Sequence, residues 1–265
     1  MKSIFCFLLI ALLAACNSAD TLEAGTLKQI LVFKSGFDSG KENRLRLSER
    51  KVFDEKGLLL SDVTYKESGG IDYKNEYVYD TKGRKTKVTY FLGNKCHSIS
   101  EFIYNNNDSI HMIVVCKPDN KIDFTIQPCY TKKGFNYQDI CRGADQKIRF
   151  WDAYERNGSG RLEKWTRFNP DSTVRSKVVY KYDKQGREIK NTCSGELGGT
   201  YAFKYNKRGL IREEIARNTG DKSFLWLKVY IYDKWDNVAK IVQYNDFDDR
   251  PENPYMAVSY RYEYW

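Results

Sequence analysis

The chain has 265 residues, 30% of them charged and 41% hydrophobic, with a formal net charge of +9. That length permits one large or two modest domains. An aromatic share of 15% excludes a disordered chain, since disorder comes with few aromatics. A mean hydropathy of −0.65 argues against a thick two-layer core. The 20 tyrosines suit a thin sheet, in which each ring covers cross-strand surface while its hydroxyl stays wet. The Lys and Arg residues alternate with other types along candidate strands, as in Arg84-Lys85-Thr86-Lys87-Val88-Thr89-Tyr90. Such alternation describes a solvated sheet face. It also favours anionic partners such as lipopolysaccharide or acidic glycans over nucleic acid.

In chain order, the first element is an address. Lys2 supplies a positive charge and an apolar stretch covers residues 4–13. This is too short for a spanning helix of about 20 residues and right for a signal peptide. The segment ends Leu13-Ala14-Ala15-Cys16, which resembles the lipobox of bacterial lipoproteins. That resemblance implies cleavage before Cys16 and lipidation of Cys16. Asn17 stands where the family's inner-membrane retention signal is Asp, so an outer-membrane lipoprotein is implied. The expected organisation is a signal peptide at 1–15, a lipidated tether at 16–26 and a repeat domain at 27–265. Residues 27–33 read as the first strand and residues 37–43 as a turn or loop.

From there a unit recurs. Its anchors are Phe53, Tyr79, Tyr104, Tyr130, Tyr154, Tyr182, Tyr205, Tyr232 and Tyr262, separated by 26, 25, 26, 24, 28, 23, 27 and 30 residues. Fixed periods of this kind mark stacked supersecondary units. In the clearest copies two aromatics two residues apart, such as Tyr77 and Tyr79, share one face of a strand. Asp80, Asp183, Asn206 and Asp233 then start a turn through their side chains, and Gly83, Gly186 and Gly209 supply the positive φ that closes it. Arg84 and Arg187 open the return strand. About 26 residues hold two strands and two turns. The predicted fold is therefore all-β: a single extended antiparallel sheet of successive hairpins, about 17–18 strands, with freedom to curl. Its last strand, Tyr260 to Trp265, reads as an edge blunted by Arg261 and Glu263. Pro128 lies two residues before an anchor and predicts an edge or bulge.

The pattern aromatic-x-Tyr-Asp-x-x-Gly-Arg resembles the tyrosine–aspartate (YD, or Rhs) repeat of bacterial cell-surface proteins and toxin shells, over residues 45–265. The resemblance implies a spiralling antiparallel sheet of hairpins. It brings no catalytic residues, and no toxin domain or self-cleaving core follows here.

Chemistry-bearing residues are sparse. His97 and His111 are the only histidines, with no metal-ligand spacing and no nucleophile elbow around them; no metal or cofactor is expected. Asp248-Asp249 and Glu213-Glu214 read as solvated charge rather than as a glycosidase pair. Besides Cys16, the mature chain would keep Cys96, Cys116, Cys129, Cys141 and Cys193. Cys116, Cys141 and Cys193 fall on equivalent return strands, roughly 10 Å apart at usual strand spacing, beyond disulfide reach. The pairs Cys96–Cys116 and Cys129–Cys141 stay open in an oxidising envelope.

The expected function is that of a cell-envelope lipoprotein, held at the outer membrane by its lipid anchor. Its role would be non-enzymatic, binding a glycan or protein partner or serving structurally. Trp151, Trp165, Trp226 and Trp235 are the candidates for an exposed aromatic patch. The alternative is an envelope enzyme acting on glycans through carboxylates in a cleft. A third reading is an outer-membrane β-barrel, disfavoured because Arg261 and Glu263 share one face of the last strand, where lipid demands apolar groups.

Overall fold

The computed structural model describes residues 26–38, 41–196, 198–221, 223–245 and 254–265. The signal and tether, Cys16 included, and Asp248 and Asp249 lie outside the described residues. The strands are β1 (Leu27–Asp38), β2 (Lys41–Glu42), β3 (Arg46–Phe53), β4 (Leu59–Tyr65), β5 (Ile71–Tyr79), β6 (Lys85–Leu92), β7 (Lys95–Tyr104), β8 (Ile110–Cys116), β9 (Ile122–Tyr130) and β10 (Asn136–Gly143). They continue with β11 (Ile148–Arg156), β12 (Leu162–Phe168), β13 (Val174–Tyr182), β14 (Glu188–Gly195), β15 (Gly199–Tyr205), β16 (Ile211–Arg217), β17 (Phe224–Tyr232), β18 (Val238–Tyr244) and β19 (Met256–Tyr264). The two-residue β2 only folds back on the end of β1. The other eighteen strands pair antiparallel with their sequence neighbours, and β1 pairs with both β3 and β19.

The molecule is thus a closed 18-stranded barrel, which corrects the expectation of an extended or curled open sheet. The hairpin row and the strand count stand. The edge does not: β19 meets β1 over nine register partners, from Leu27↔Tyr264 to Gly36↔Met256. Arg261 sits opposite Leu31, and Glu263 accepts a hydrogen bond from Gln29 Nε2. Both belong to the seam rather than guarding an open edge.

Bulges explain the closure. The register shifts at each Tyr-Asp-type turn, for instance between Val78 and Tyr79, Ile103 and Tyr104, Lys181 and Tyr182, and Ile231 and Tyr232. Each bulge adds one unpaired residue and extra right-handed twist. Repeated around the ring, these bends turn a ribbon of hairpins into a cylinder. Beside Pro128 the slip falls on the partner strand, between Asn136 and Gln138. Eighteen strands at the usual spacing and tilt enclose a cylinder about 35 Å across between backbones.

Strand alternation divides the wall into two rows of side chains. The register links Asn75, Tyr90 and Ser98 in one direction around the ring, and Asp62, Thr64, Glu49 and Val32 in the other. This row carries most of the buried side chains, including Val32, Tyr77, Val88, Ile113, Ile126, Cys141, Trp165 and Val178. It is the concave wall, where side chains converge and shield one another. Its apolar packing falls into two patches. One centres on Ile113, Val115, Ile126 and Cys141, and the other on Trp165, Val178 and Cys193. Both link near neighbours along the wall; neither crosses the lumen.

Candidate functional site

The Tyr-Asp motif is a fastening device at one rim. Asp80 Oδ1 accepts the backbone N–H groups of Lys82 and Arg84, both at 2.9 Å, and Oδ2 accepts Arg84 Nε at 2.7 Å. Asp183 repeats this with Gln185 and Arg187. Asn206 and Asp233 do so toward Leu210 and Asn237. Slight desolvation works the other way, but these donors hold Asp80 and Asp183 below the usual carboxylate range. Gly83, Gly186 and Gly209 have φ of 78°, 80° and 83°, as the turn requires. Asp108 and Asp236 take the same conformation without glycine.

The anchor tyrosines tie each hairpin to the one before. Tyr79, Tyr104, Tyr182, Tyr205, Tyr232 and Tyr262 donate their hydroxyls to the carbonyls of Leu59, Lys85, Leu162, Glu188, Ile211 and Val238, at 2.5–3.0 Å. Arg84 and Arg187 reach forward instead, each stacking 4.5 Å over the next anchor ring, Tyr104 and Tyr205. The motif residues are structural staples. Tyr79, Asp80 and Gly83 also border an open surface pocket with Asp54, Lys56 and Leu58.

The inner wall carries a second set of polar groups that the motif does not announce. Tyr77, Tyr154 and Tyr230 donate to Asp62, Asp139 and Glu214 at 2.8, 2.7 and 2.7 Å. Asn75 also donates to Asp62, and Asn136 to Asp139. Arg167 clasps Asp152 through Nε at 2.8 Å and Nη2 at 2.7 Å, and its guanidinium lies 4.1 Å from the centre of the Phe150 ring. Burial pushes the Asp152 carboxyl up despite the adjacent guanidinium. Burial also raises Tyr77, Tyr154 and Tyr230, and takes Tyr180 to about 12. The only sequence trace of this network is an acid 15 or 16 residues before a unit's first aromatic.

Asp139 and Asp152 are direct cross-strand partners. They are the acids that come nearest to a carboxylate pair in a cleft. Both are more than 90% buried, and every carboxylate oxygen of the pair already accepts a hydrogen bond. Glu213 and Glu214 point to opposite faces: Glu213 pairs with Lys204 at 2.8 Å, while Glu214 holds Tyr230. Among the described residues no cluster of His, Cys, Asp or Glu could hold a metal ion. His97 packs edge-on against Tyr90, ring centres 5.5 Å apart.

The tryptophans do not form one patch. Trp165 is buried on the inner wall. Trp151 stacks on Phe168 at 3.9 Å on the outer wall. Trp226 faces the lumen beside Tyr201 and under Lys228 Nζ, 4.0 Å away. Trp235 stands exposed at a turn. None of the five described cysteines is in a disulfide. Cys129 lies opposite Gln138 on the outward row, whereas Cys141 is on the inward one, so their pairing is geometrically excluded. On the neighbouring hairpin, Cys116 is opposite Ile99, three residues from Cys96.

The outer wall decides what surrounds the barrel. Its register rows run Val78–Lys87–Glu101–Val114 and Glu155–Lys164–Val179. A further row runs Lys181–Lys190–Ala202–Ile215. Charges therefore interrupt the outward face at every height. Except for β1, ten ring strands have seven or eight residues and seven have nine or ten, against the 9–11 of a membrane-crossing strand.

No family model matches the chain, and no curated protein matches it either. Among solved structures, it is similar to a porin-like protein from Bacteroides uniformis ATCC 8492, at 13% identity and TM-score 0.48, covering 92% of this chain and 100% of that one. A porin-like protein from Bacteroides vulgatus ATCC 8482 matches at 10% identity and TM-score 0.30, over 90% of this chain and 99% of that one. The TcdB2-TccC3-Cdc42 structure matches at 14% identity and TM-score 0.41 over 83% of this chain, which spans 14% of that chain's length.

Proposed function

We propose that this protein is a lipid-anchored envelope barrel that stands in water and works by binding, not by catalysis. The supporting observation is the outward wall. A lipid-facing Lys or Arg costs about 2–4 kcal/mol at the bilayer midplane of an outer-membrane barrel. Here Arg50, Lys74 and Lys177 stand mid-strand on the outward row, with Lys87, Lys164, Lys181 and Lys190 nearer the Tyr-Asp rim. The lumen is the binding surface, its wall lined by tyrosines and by Trp226 beside Lys228 and Glu214. Such a wall suits stacking on sugar rings or docking of a protein segment. The anchor on Cys16 is the means of holding the barrel at the outer membrane.

A second reading is a membrane-spanning, porin-like barrel. One observation favours it: Ile215, Leu227, Val229 and Val242 lie side by side on the outward row, as does Ile99 beside Cys116. One substitution separates the two. Cys16→Ser should release a water-facing barrel from the membrane fraction, whereas a spanning barrel stays there without its lipid. Retention of the variant in washed membranes would overturn the tethered reading.

A further inference from the structure

The turn tips at the two rims of the barrel carry opposite charge. At the Tyr-Asp rim, each of the eight turns presents a two-residue tip after the turn-opening residue. These tips hold eight Lys or Arg residues against one acid, Glu55. Lys82 pairs with Asp108 and Arg208 with Asp236. Lys56, Lys132, Lys133, Lys184 and Lys207 enter no ion pair among the described residues. At the opposite rim the described tips carry acids instead: Glu67, Asp119, Asp145, Asp171, Glu196 and Asp221. Of these, Glu67, Asp119 and Glu196 pair with Arg46, Lys121 and Arg175, and Lys66, Lys117 and Lys147 flank the tips.

The basic rim is also the one where the chain enters the barrel. Thr26 O accepts the N–H of Trp265 there, so the segment that leads back to Cys16 leaves from this end. Four of the five exposed aromatics among the described residues sit at the same rim: Trp235 is 57%, Trp265 55%, Tyr137 46% and Phe135 42% exposed, with Tyr255 at the other. Tryptophan and lysine at one level are what a membrane–water interface selects. Basic residues near an anionic leaflet each contribute about 1 kcal/mol.

We infer that the Tyr-Asp rim seats on the phosphate headgroups of the membrane that holds the anchor, with the barrel axis upright and the acidic rim turned away. This rests on the tethered reading. The basic tips supply attraction that a single-point tether lacks, and they fix which mouth of the lumen opens to solvent.

Lysine acetylation of the full-length protein, in native membranes and in detergent, tests the seating by peptide mass spectrometry. Lys132, Lys133, Lys184 and Lys207 should label about fivefold or more slowly in membranes, with the mid-strand Lys74 and Lys177 and the far-rim Lys121 unchanged. Equal rim labelling in both media overturns the inference. So does joint protection of Lys74 and Lys177, because that reports an embedded wall. The triple variant Lys132→Glu, Lys133→Glu, Lys207→Glu should stay membrane-bound through its lipid yet lose protection at Lys184; continued protection there overturns the seating.

The tether can fail separately. If the wild-type chain fractionates as soluble, that reading falls, and pelleting with vesicles decides the rim. Salt-sensitive pelleting on phosphatidylglycerol mixed into phosphatidylcholine, weakened by the triple variant, supports it. No pelleting, or equal pelleting on pure phosphatidylcholine, overturns it.

Discussion

At the scale of single residues, the inner wall concentrates risk in the Asp152–Arg167 pair. The two side chains are only 6% and 8% exposed, so their attraction must offset a large desolvation cost. Such a pair is weak proof of net stabilisation, but removing one partner leaves a buried, unanswered charge. Arg167→Met should therefore destabilise the barrel by about 3–5 kcal/mol. The double variant Asp152→Leu, Arg167→Met should recover most of that loss, because no charge is stranded. Urea unfolding of the two variants checks this; equal losses would mean that the pair is not the source. This site was illegible beforehand, since Asp152 and Arg167 lie outside the repeated motif. Their meeting depends on the β11–β12 register, which a bulge between Glu155 and Arg156 sets.

At the scale of one hairpin, the turn code was readable because it is local. An Asp or Asn that bonds two amides ahead, followed by a residue at positive φ, needs no distant partner. Glycine matters unequally among the turns. A Cβ on Gly134 would meet nothing within 4 Å, so Gly134→Ala adds only the strain of φ 81°, about 1 kcal/mol. A Cβ on Gly195 would sit 2.2 Å from the Arg175 carbonyl oxygen, at φ 76°. Backbone must move there, so Gly195→Ala should cost more than Gly134→Ala by at least about 1 kcal/mol. Matched thermal melts of the two variants decide it, and an equal Tm shift would refute the clash. The staples from Tyr79 and its equivalents were half legible: spacing placed their rings on one face, but only the neighbouring hairpin shows which carbonyl each hydroxyl seeks.

At the scale of the whole molecule, closure is what the repeat could not announce. Each unit specifies a hairpin and is indifferent to whether the row ends in an edge or meets itself. The decision comes from curvature summed over eighteen strands, and the bulges that produce it leave no residue signature beyond the turns. Arg261 and Glu263 misled for a related reason: charge on an end strand reads as edge protection, yet it equally suits the wet outer face of a closed wall. The seam gives this its test. In an open sheet, the outward amides of β1 and β19 would exchange with solvent within the dead time of a fraying edge. In the closed barrel, Ile30 to Lys34 are laddered by both β19 and β3, and Met256 to Ser259 by both β1 and β18. Hydrogen exchange followed by peptide mass spectrometry should find β1 and β19 as protected as β10–β11, at the opposite side of the ring. Rapid exchange confined to β1 and β19 would reopen the barrel, and with it the lumen on which the binding role depends.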